Sequence, residues 1–209
     1  MDENDSSHLL PGKPVLGMGR VNTPCFIDRS ADLEQAVTDL IFSKSFDNGL
    51  ISTSEQTVII GREVYFQAVD LLLQKYCYLA TEQEKELLET FLFDPESGTA
   101  HPRARGLSAP ALAELAGFTV PSQTKLILTE IAGIGPAHPL SRPKAAPVLA
   151  LLAAESWYEG LCLCEAVLDF GSSTHAAVLH ARDNTLCREF ASRLKTVHTI
   201  LNGPATRGD

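Results

Sequence analysis

The chain has 209 residues, enough for one domain with its own hydrophobic core. Apolar residues make up 44% and charged residues 21%, an ordinary globular composition. Lys and Arg total 17 against 26 Asp and Glu, for a formal net charge of −9, so the chain repels phosphate backbones and is not expected to bind nucleic acid.

Nothing approaches the roughly 18 consecutive apolar residues of a membrane span. The acidic start, Met1-Asp2-Glu3-Asn4-Asp5, lacks the apolar core of a signal peptide. No membrane association is expected, and the cytoplasm is the expected location. The five cysteines, an odd number without a secretion signal, argue against a disulfide framework. Cys162 and Cys164 lie two apart in a helical pattern and point to different faces, so they read as small buried hydrophobes. The six histidines show no ligand-like pairing. No metal site is expected.

Residues 1–13 are polar with Pro and Gly and read as a flexible lead-in; residues 14–209 read as the domain. Cys25-Phe26-Ile27-Asp28 is a short strand after Pro24. From Ala31 to Phe46, Leu33, Val37, Leu40 and Ile41 recur at helical spacing. Ser30 is the expected N-cap of that helix, with Glu34 in its first turn and Asn48-Gly49 closing it. Thr57-Val58-Ile59-Ile60 is a strand. Glu63 to Tyr78 reads as one helix and Thr81 to Phe93 as the next, with Thr81 and Glu84 forming a capping box. A Pro/Gly/Arg-rich loop covers 94–107, and Ser108 caps a short helix that ends at Gly117. Lys125 to Ile131 is a strand, 133–147 is irregular, and Val148 to Ala153 is a buried strand. Ser156 to Phe170 is helical, Ala176 to Ala181 a strand, Asn184 to Lys195 a helix and Val197 to Leu201 a last strand. Alternating strands and helices of this length predict an α/β fold with a largely parallel sheet.

Three stretches carry a family resemblance. The first is Gly12-Lys13-Pro14-Val15-Leu16-Gly17-Met18-Gly19-Arg20-Val21-Asn22-Thr23-Pro24, with Ile27-Asp28 and Ala31-Asp32-Leu33 behind it. The second is Ser45-Phe46-Asp47-Asn48-Gly49-Leu50-Ile51-Ser52-Thr53-Ser54-Glu55-Gln56. The third is Leu115-Ala116-Gly117-Phe118-Thr119-Val120-Pro121 with the strand from Lys125. Together they resemble the catalytic domain of the CoA-acylating aldehyde dehydrogenases, above all the aldehyde module of bifunctional aldehyde–alcohol dehydrogenases. The resemblance runs over roughly 11–208, and the second stretch is its most specific part. It implies a three-layer αβα catalytic domain. Gly17-x-Gly19-x-x-Asn22 is not read as a dinucleotide loop, because a strand and not a helix follows it.

Enzymes of that family work by covalent catalysis. A cysteine thiolate adds to the aldehyde, hydride passes to a nicotinamide, and CoA takes the acyl group from the resulting thioester. The resemblance places Ser52 at the nucleophile position and His175 where the family has a histidine in a G-H-T segment. It gives Gly19, Asn22, Asn48, Gly49 and Thr53 as residues around the substrate. Met18 stands where hydrolytic relatives carry a water-activating glutamate, which suits the acylating branch. Pro143 replaces a carboxylate that helps position the nicotinamide ribose, and Asn202-Gly203-Pro204 stands for N-T-P. The family's dinucleotide-binding domain has no counterpart in the resemblance. NAD and CoA are therefore the implied cofactors, yet neither is expected to bind this chain tightly by itself, and no cofactor-binding residue is assigned. Two readings follow. One is a fragment or degenerate relative of the enzyme, with a small aldehyde or acyl-CoA as substrate. The other is a non-catalytic interaction module. A homo-oligomer or a cofactor-domain partner is expected in either case.

Overall fold

A computed structural model describes residues 21–171 and 175–208. These residues build a seven-stranded sheet whose strands are all parallel. Strand β1 is Thr23–Ile27, β2 Glu55–Gly61, β3 Cys77–Leu79, β4 Leu126–Glu130, β5 Val148–Ala154, β6 Ala176–His180 and β7 His198–Leu201. Across the sheet the order is β3-β4-β5-β2-β1-β6-β7. The chain therefore starts beside the middle, jumps to one edge, returns to β2, and finishes at the other edge.

Among the described residues six α-helices cover the sheet: α1 (Leu33–Ser45), α2 (Tyr65–Gln74), α3 (Glu82–Leu92), α4 (Ala109–Ala116), α5 (Trp157–Phe170) and α6 (Asn184–Arg193). Side chains of a strand alternate between faces. Cys25, Ile27, Val58 and Ile60 accordingly pack with Val37 and Leu40 of α1 and Ala68 and Leu72 of α2. Phe26 and Ile59 face the other way, onto Leu161 and Val167 of α5 and Phe190 of α6. On that second face, α3 and α4 cover Ile127 and Val148. A sheet buried on both faces needs apolar residues at nearly every position, which is why Val148–Ala154 shows no polar alternation. Three of the five cysteines, Cys25, Cys77 and Cys164, are buried, and all five are unpaired. No helix among the described residues is long and apolar enough to cross a membrane.

Local chemistry fixes most helix starts where the sequence put them. Thr81 and Glu84 form the reciprocal capping box of α3. Ser108 caps α4 and Ser156 caps α5. Three expectations are corrected. Asp32, not Ser30, caps α1 by accepting from the Gln35 N–H. The Ser30 hydroxyl is engaged elsewhere: it donates to Asp28 and accepts from the backbone N–H groups of Arg182 and Asp183. The expected helix Glu63–Tyr78 ends at Gln74, because Tyr76 takes φ 69 and turns the chain into β3. Finally, α1 ends at Ser45, before Asn48-Gly49, which belong to a separate short turn.

One buried titration makes stability depend on pH. His180, at the end of β6, is 2% exposed, and burial pushes its pKa down to about 4 while Asp39 opposes that. Between about 6.5 and about 4 the unfolded chain takes a proton that the folded chain refuses, so stability falls as pH drops through this window, by up to about 3 kcal/mol. Denaturation midpoints at pH 7 and pH 4.5 should therefore diverge less for His180→Gln than for the natural chain. Equal divergence in both would remove His180 as the source.

Candidate functional site

Because every strand is parallel, the segments that lead into them share one end of the sheet. Asn22 leads into β1, the turn with Ser52 into β2, Lys144 to Pro147 into β5, and His175 into β6. Ligands of open α/β sheets usually sit at the carboxyl ends of the strands. The candidate residues here gather at the amino ends instead.

The segment from Phe46 to Ser54 is built from strained turns. Asp47, Asn48 and Gly49 are all left-handed, with φ of 47, 52 and 76. Asp and Asn tolerate this region better than other side-chain-bearing residues, at a cost of order 1–2 kcal/mol each. Asn48 recovers part of that cost by donating from Nδ2 to the Gly106 carbonyl at 3.0 Å, which docks the 94–107 loop onto the turn. Gly49 is packed so closely that a Cβ there would lie 2.5 Å from the Ala146 oxygen. A tight turn follows, closed by the Ser54 N–H on the Ile51 carbonyl at 3.1 Å. Ser52 stands exposed at its tip, with Thr53 buried behind it.

Under this turn lie two buried lysines. Lys44, from the last turn of α1, is 0% exposed, and Lys144 is 2% exposed. Lys44 Nζ donates to Gln56 Oε1 at 3.2 Å and to Ser54 Oγ at 3.5 Å. Gln56 is the hub: its Oε1 also accepts the Lys144 N–H at 2.9 Å, and its Nε2 donates to the Ser54 carbonyl at 3.0 Å. Lys144 Nζ donates to the carbonyls of Leu140, Arg142 and Gln56 at 2.6, 3.0 and 3.2 Å. Glu55 is fully buried and accepts the Ala205 N–H at 2.9 Å.

Burial lowers Lys44 to about 7, and the Glu55 carboxylate opposes that shift. Burial and then Lys44 push Lys144 well below the ordinary lysine range. Its three carbonyl acceptors match the three donors of an ammonium and favour the charged form against burial. Burial raises Glu55, while the Ser43 hydroxyl, the Ala205 N–H and Lys44 pull it back.

No family model matches the chain. The aldehyde-alcohol dehydrogenase of Streptococcus pneumoniae is 38% identical over 204 residues, which is 94% of this chain and 23% of that protein. An acetylating aldehyde dehydrogenase from Geobacillus thermoglucosidasius superposes with a TM-score of 0.90 at 29% identity, over 94% of this chain and 43% of that one. The chain is a relative of one region of the CoA-acylating aldehyde dehydrogenases. A propionaldehyde dehydrogenase of this kind from Rhodopseudomonas palustris, solved with bound CoA and an acylated cysteine, matches at 25% identity and a TM-score of 0.85, over 94% of this chain and 44% of that one. The chain thus spans about a quarter of the aldehyde–alcohol dehydrogenase and under half of the two solved acylating aldehyde dehydrogenases.

Against the acylating aldehyde dehydrogenase resemblance, the site residues fall as follows. Gly19, with Met18 beside it, lies outside the described residues. Asn22 is buried and spends both amide hydrogens on the carbonyls of Ser141 and Val167, each at 3.0 Å, so it clamps the start of β1. Asn48, Gly49 and Thr53 share the segment that carries Ser52. His175 is at the same end of the sheet, but β1 stands between β2 and β6, so two strand spacings, roughly 10 Å, separate it from the Ser52 turn. Its ring meets His198 edge to face at 5.1 Å. Asn202 takes φ 50 and pairs both its amide groups with the backbone of Ala181. Lys44 and Lys144 escaped the sequence reading. Lys44 continues the Val37–Leu40–Ile41 stripe at helical spacing, which was a legible signal of burial. Lys144 sits in an irregular segment with no periodicity to read.

Proposed function

We propose that residues 14–209 act as the catalytic region of an NAD-dependent CoA-acylating aldehyde dehydrogenase, with residue 52 as the acyl-accepting position. The serine there leaves the natural chain by itself without aldehyde-oxidising turnover. The observation that supports this reading is Ser52 itself: exposed at the tip of a turn, within the most specific stretch of the resemblance. A relative solved with an acylated cysteine shows the kind of adduct this family forms. A serine hydroxyl is essentially un-ionised near neutral pH and needs a base beside it.

The chain's own residues would shape the reacting turn. Asn48 and Gly49 set its bend, Thr53 backs it, and Gly19 and Asn22 belong to the segment leading into the neighbouring strand. When bound, NAD would accept the hydride and CoA the acyl group. The described lysines nearest the turn are buried and committed to internal acceptors, so no residue here is assigned to either cofactor's phosphates. The test combines Ser52→Cys with a separately produced dinucleotide-binding region of a relative. With acetaldehyde, CoA and NAD, NADH should accumulate for Ser52→Cys and not for the natural chain. No NADH from Ser52→Cys, under conditions where the two polypeptides bind each other, would overturn the reading.

The serine also favours a second reading, an interaction module that kept the fold and lost the chemistry. Phe42 and Phe46, 59% and 52% exposed with ring centroids 6.5 Å apart, and Phe66, 73% exposed, are the aromatic side chains such a module would bury against a partner. A stable homo-oligomer in sedimentation, with no acyl transfer at residue 52 even as cysteine, would support that reading over the first.

A further inference from the structure

Burying an amine is costly unless it is paired and hydrogen-bonded, and an apolar residue of similar volume often serves stability as well or better. Lys44 fills a site where methionine would fit the helical stripe of α1, so stability does not account for it. What distinguishes Lys44 is where its ammonium ends: between Ser54, which closes the turn carrying Ser52, and Gln56, whose amide also holds the Ser54 carbonyl.

We propose that Lys44 is a positioning residue for position 52. Wedged between Ser54 and Gln56, its buried amine fixes the Ile51–Ser54 turn and holds positive charge beneath it, so that an anion formed at residue 52, or on a group bound there, is stabilised. The charged groups that face Lys44 are Glu55 from β2 and Lys144 from the segment before β5. Glu55 also accepts the Ala205 N–H at 2.9 Å. One carboxylate against two amines leaves this end of the sheet internally positive whenever both lysines are charged. The position of Lys44 near pH 7 means that its proton is present below neutrality and lost above it. The stabilisation of an anion at residue 52 is therefore strongest below about pH 7 and fades as pH rises.

The size of the effect follows from distance. From Lys44 Nζ it is 3.5 Å to Ser54 Oγ and two residues of chain to position 52, which places the charge within about 10 Å of a side chain there. At an effective dielectric near 20, a charge at about 10 Å favours a neighbouring thiolate by about one unit for as long as Lys44 holds its proton.

This inference uses the reading of residue 52 as the reacting position, but its test needs neither aldehyde nor cofactor. Ser52→Cys places a reporter thiol on the turn. Alkylation by iodoacetamide is followed from pH 5.5 to 9.5 by mass spectrometry of the peptide containing residue 52, with and without Lys44→Met. The double variant should react roughly tenfold more slowly at pH 6.5, and the two profiles should converge towards pH 9, where Lys44 no longer holds its proton. The profiles of Cys162 and Cys187, the partly exposed native thiols, should not move. Superimposable residue-52 profiles in a folded double variant overturn the proposal. Should Lys44→Met not fold, judged by circular dichroism, Ser54→Ala in the Ser52→Cys chain takes its place. It removes the link between the amine and the turn and should shift the profile in the same direction. An unchanged profile there overturns the proposal equally. A null result in alkylation leaves the NADH assay to be decided on its own, so the two readings fail separately.

Discussion

Ser52→Cys is expected to take an acetyl group from acetyl-CoA, while the natural chain takes none on the same timescale. The half-reaction needs no nicotinamide. A thiolate at residue 52 adds to the thioester carbonyl, the bond from that carbon to the CoA sulfur breaks, and CoA leaves as its thiolate. Sulfur replaces sulfur, and no oxidant or reductant is consumed. Cysteine ionises near pH 8.5 and is a strong nucleophile even when only partly ionised. Serine must lose its proton as it attacks, and a positioned base contributes on the order of 10²–10⁴ in rate to such a step. His175 enters β6, two strands from the β2 that Ser52 leads into, and Lys44 donates to Ser54 and Gln56, so the expectation is drawn for a serine with no base beside it. The natural chain should accordingly be slower than Ser52→Cys by at least that factor. Mass spectrometry of the residue-52 peptide after mixing with acetyl-CoA reads the outcome directly. Cys187 and Cys162, the latter accepting from Arg193 at 3.3 Å, are partly exposed native thiols on other elements and serve as internal controls. Acetylation of Ser52 at a rate near that of the cysteine variant would defeat the argument. So would a Ser52→Cys thiol no faster than Cys187.

The parts of the fold that were legible in the sequence are those where one interaction dominates. The central strands, Thr23–Ile27, Glu55–Gly61 and Val148–Ala154, are buried on both faces and contain short apolar runs bounded by turn residues. Thr81, Ser108 and Ser156 declare helix starts because their side chains satisfy backbone N–H groups that would otherwise be unpaired. Misreadings arose where tertiary partners outbid local signals. Ser30 looks like a cap, yet its hydroxyl is taken by Asp28 and by the loop after β6. Cys77–Leu79 is too short to show alternation and becomes a strand by pairing with β4, after a left-handed Tyr76 that no propensity indicates. At the site, the turn with Ser52 could be named from its motif. The bracket below it could not, because Lys144 is placed by carbonyls from Leu140, Arg142 and Gln56 that only the folded chain brings together.

Gly49→Ala is expected to be the most damaging single methyl group in the turn. Two costs add. At φ 76 an alanine is held in the left-handed region, which costs roughly 1–2 kcal/mol. The new Cβ would lie 2.5 Å from the Ala146 oxygen and 2.7 Å from its carbonyl carbon. Both are backbone atoms, so no rotamer change relieves the clash, and overpacking of this kind costs a further 1–3 kcal/mol or so. The expected loss is about 3 kcal/mol, a large part of the roughly 5–15 kcal/mol that holds a domain folded. Gly106→Ala separates the two terms. Gly106 has a similar φ of 71, but a Cβ there meets only the flexible Leu50 side chain at 3.3 Å. It should lose about half as much. The costs also fall on different structures. Relief at Gly49 requires the turn to move away from Ala146, and Leu50 to Ser52 move with it. Gly49→Ala in the Ser52→Cys chain should therefore lower acetylation at residue 52 even in the folded fraction, whereas Gly106→Ala should mainly lower the denaturation midpoint. Urea midpoints at constant slope, with acetylation rates corrected for the folded fraction, check both statements. Equal midpoint losses for the two variants would mean that the approach of Gly49 to Ala146 does not constrain the turn.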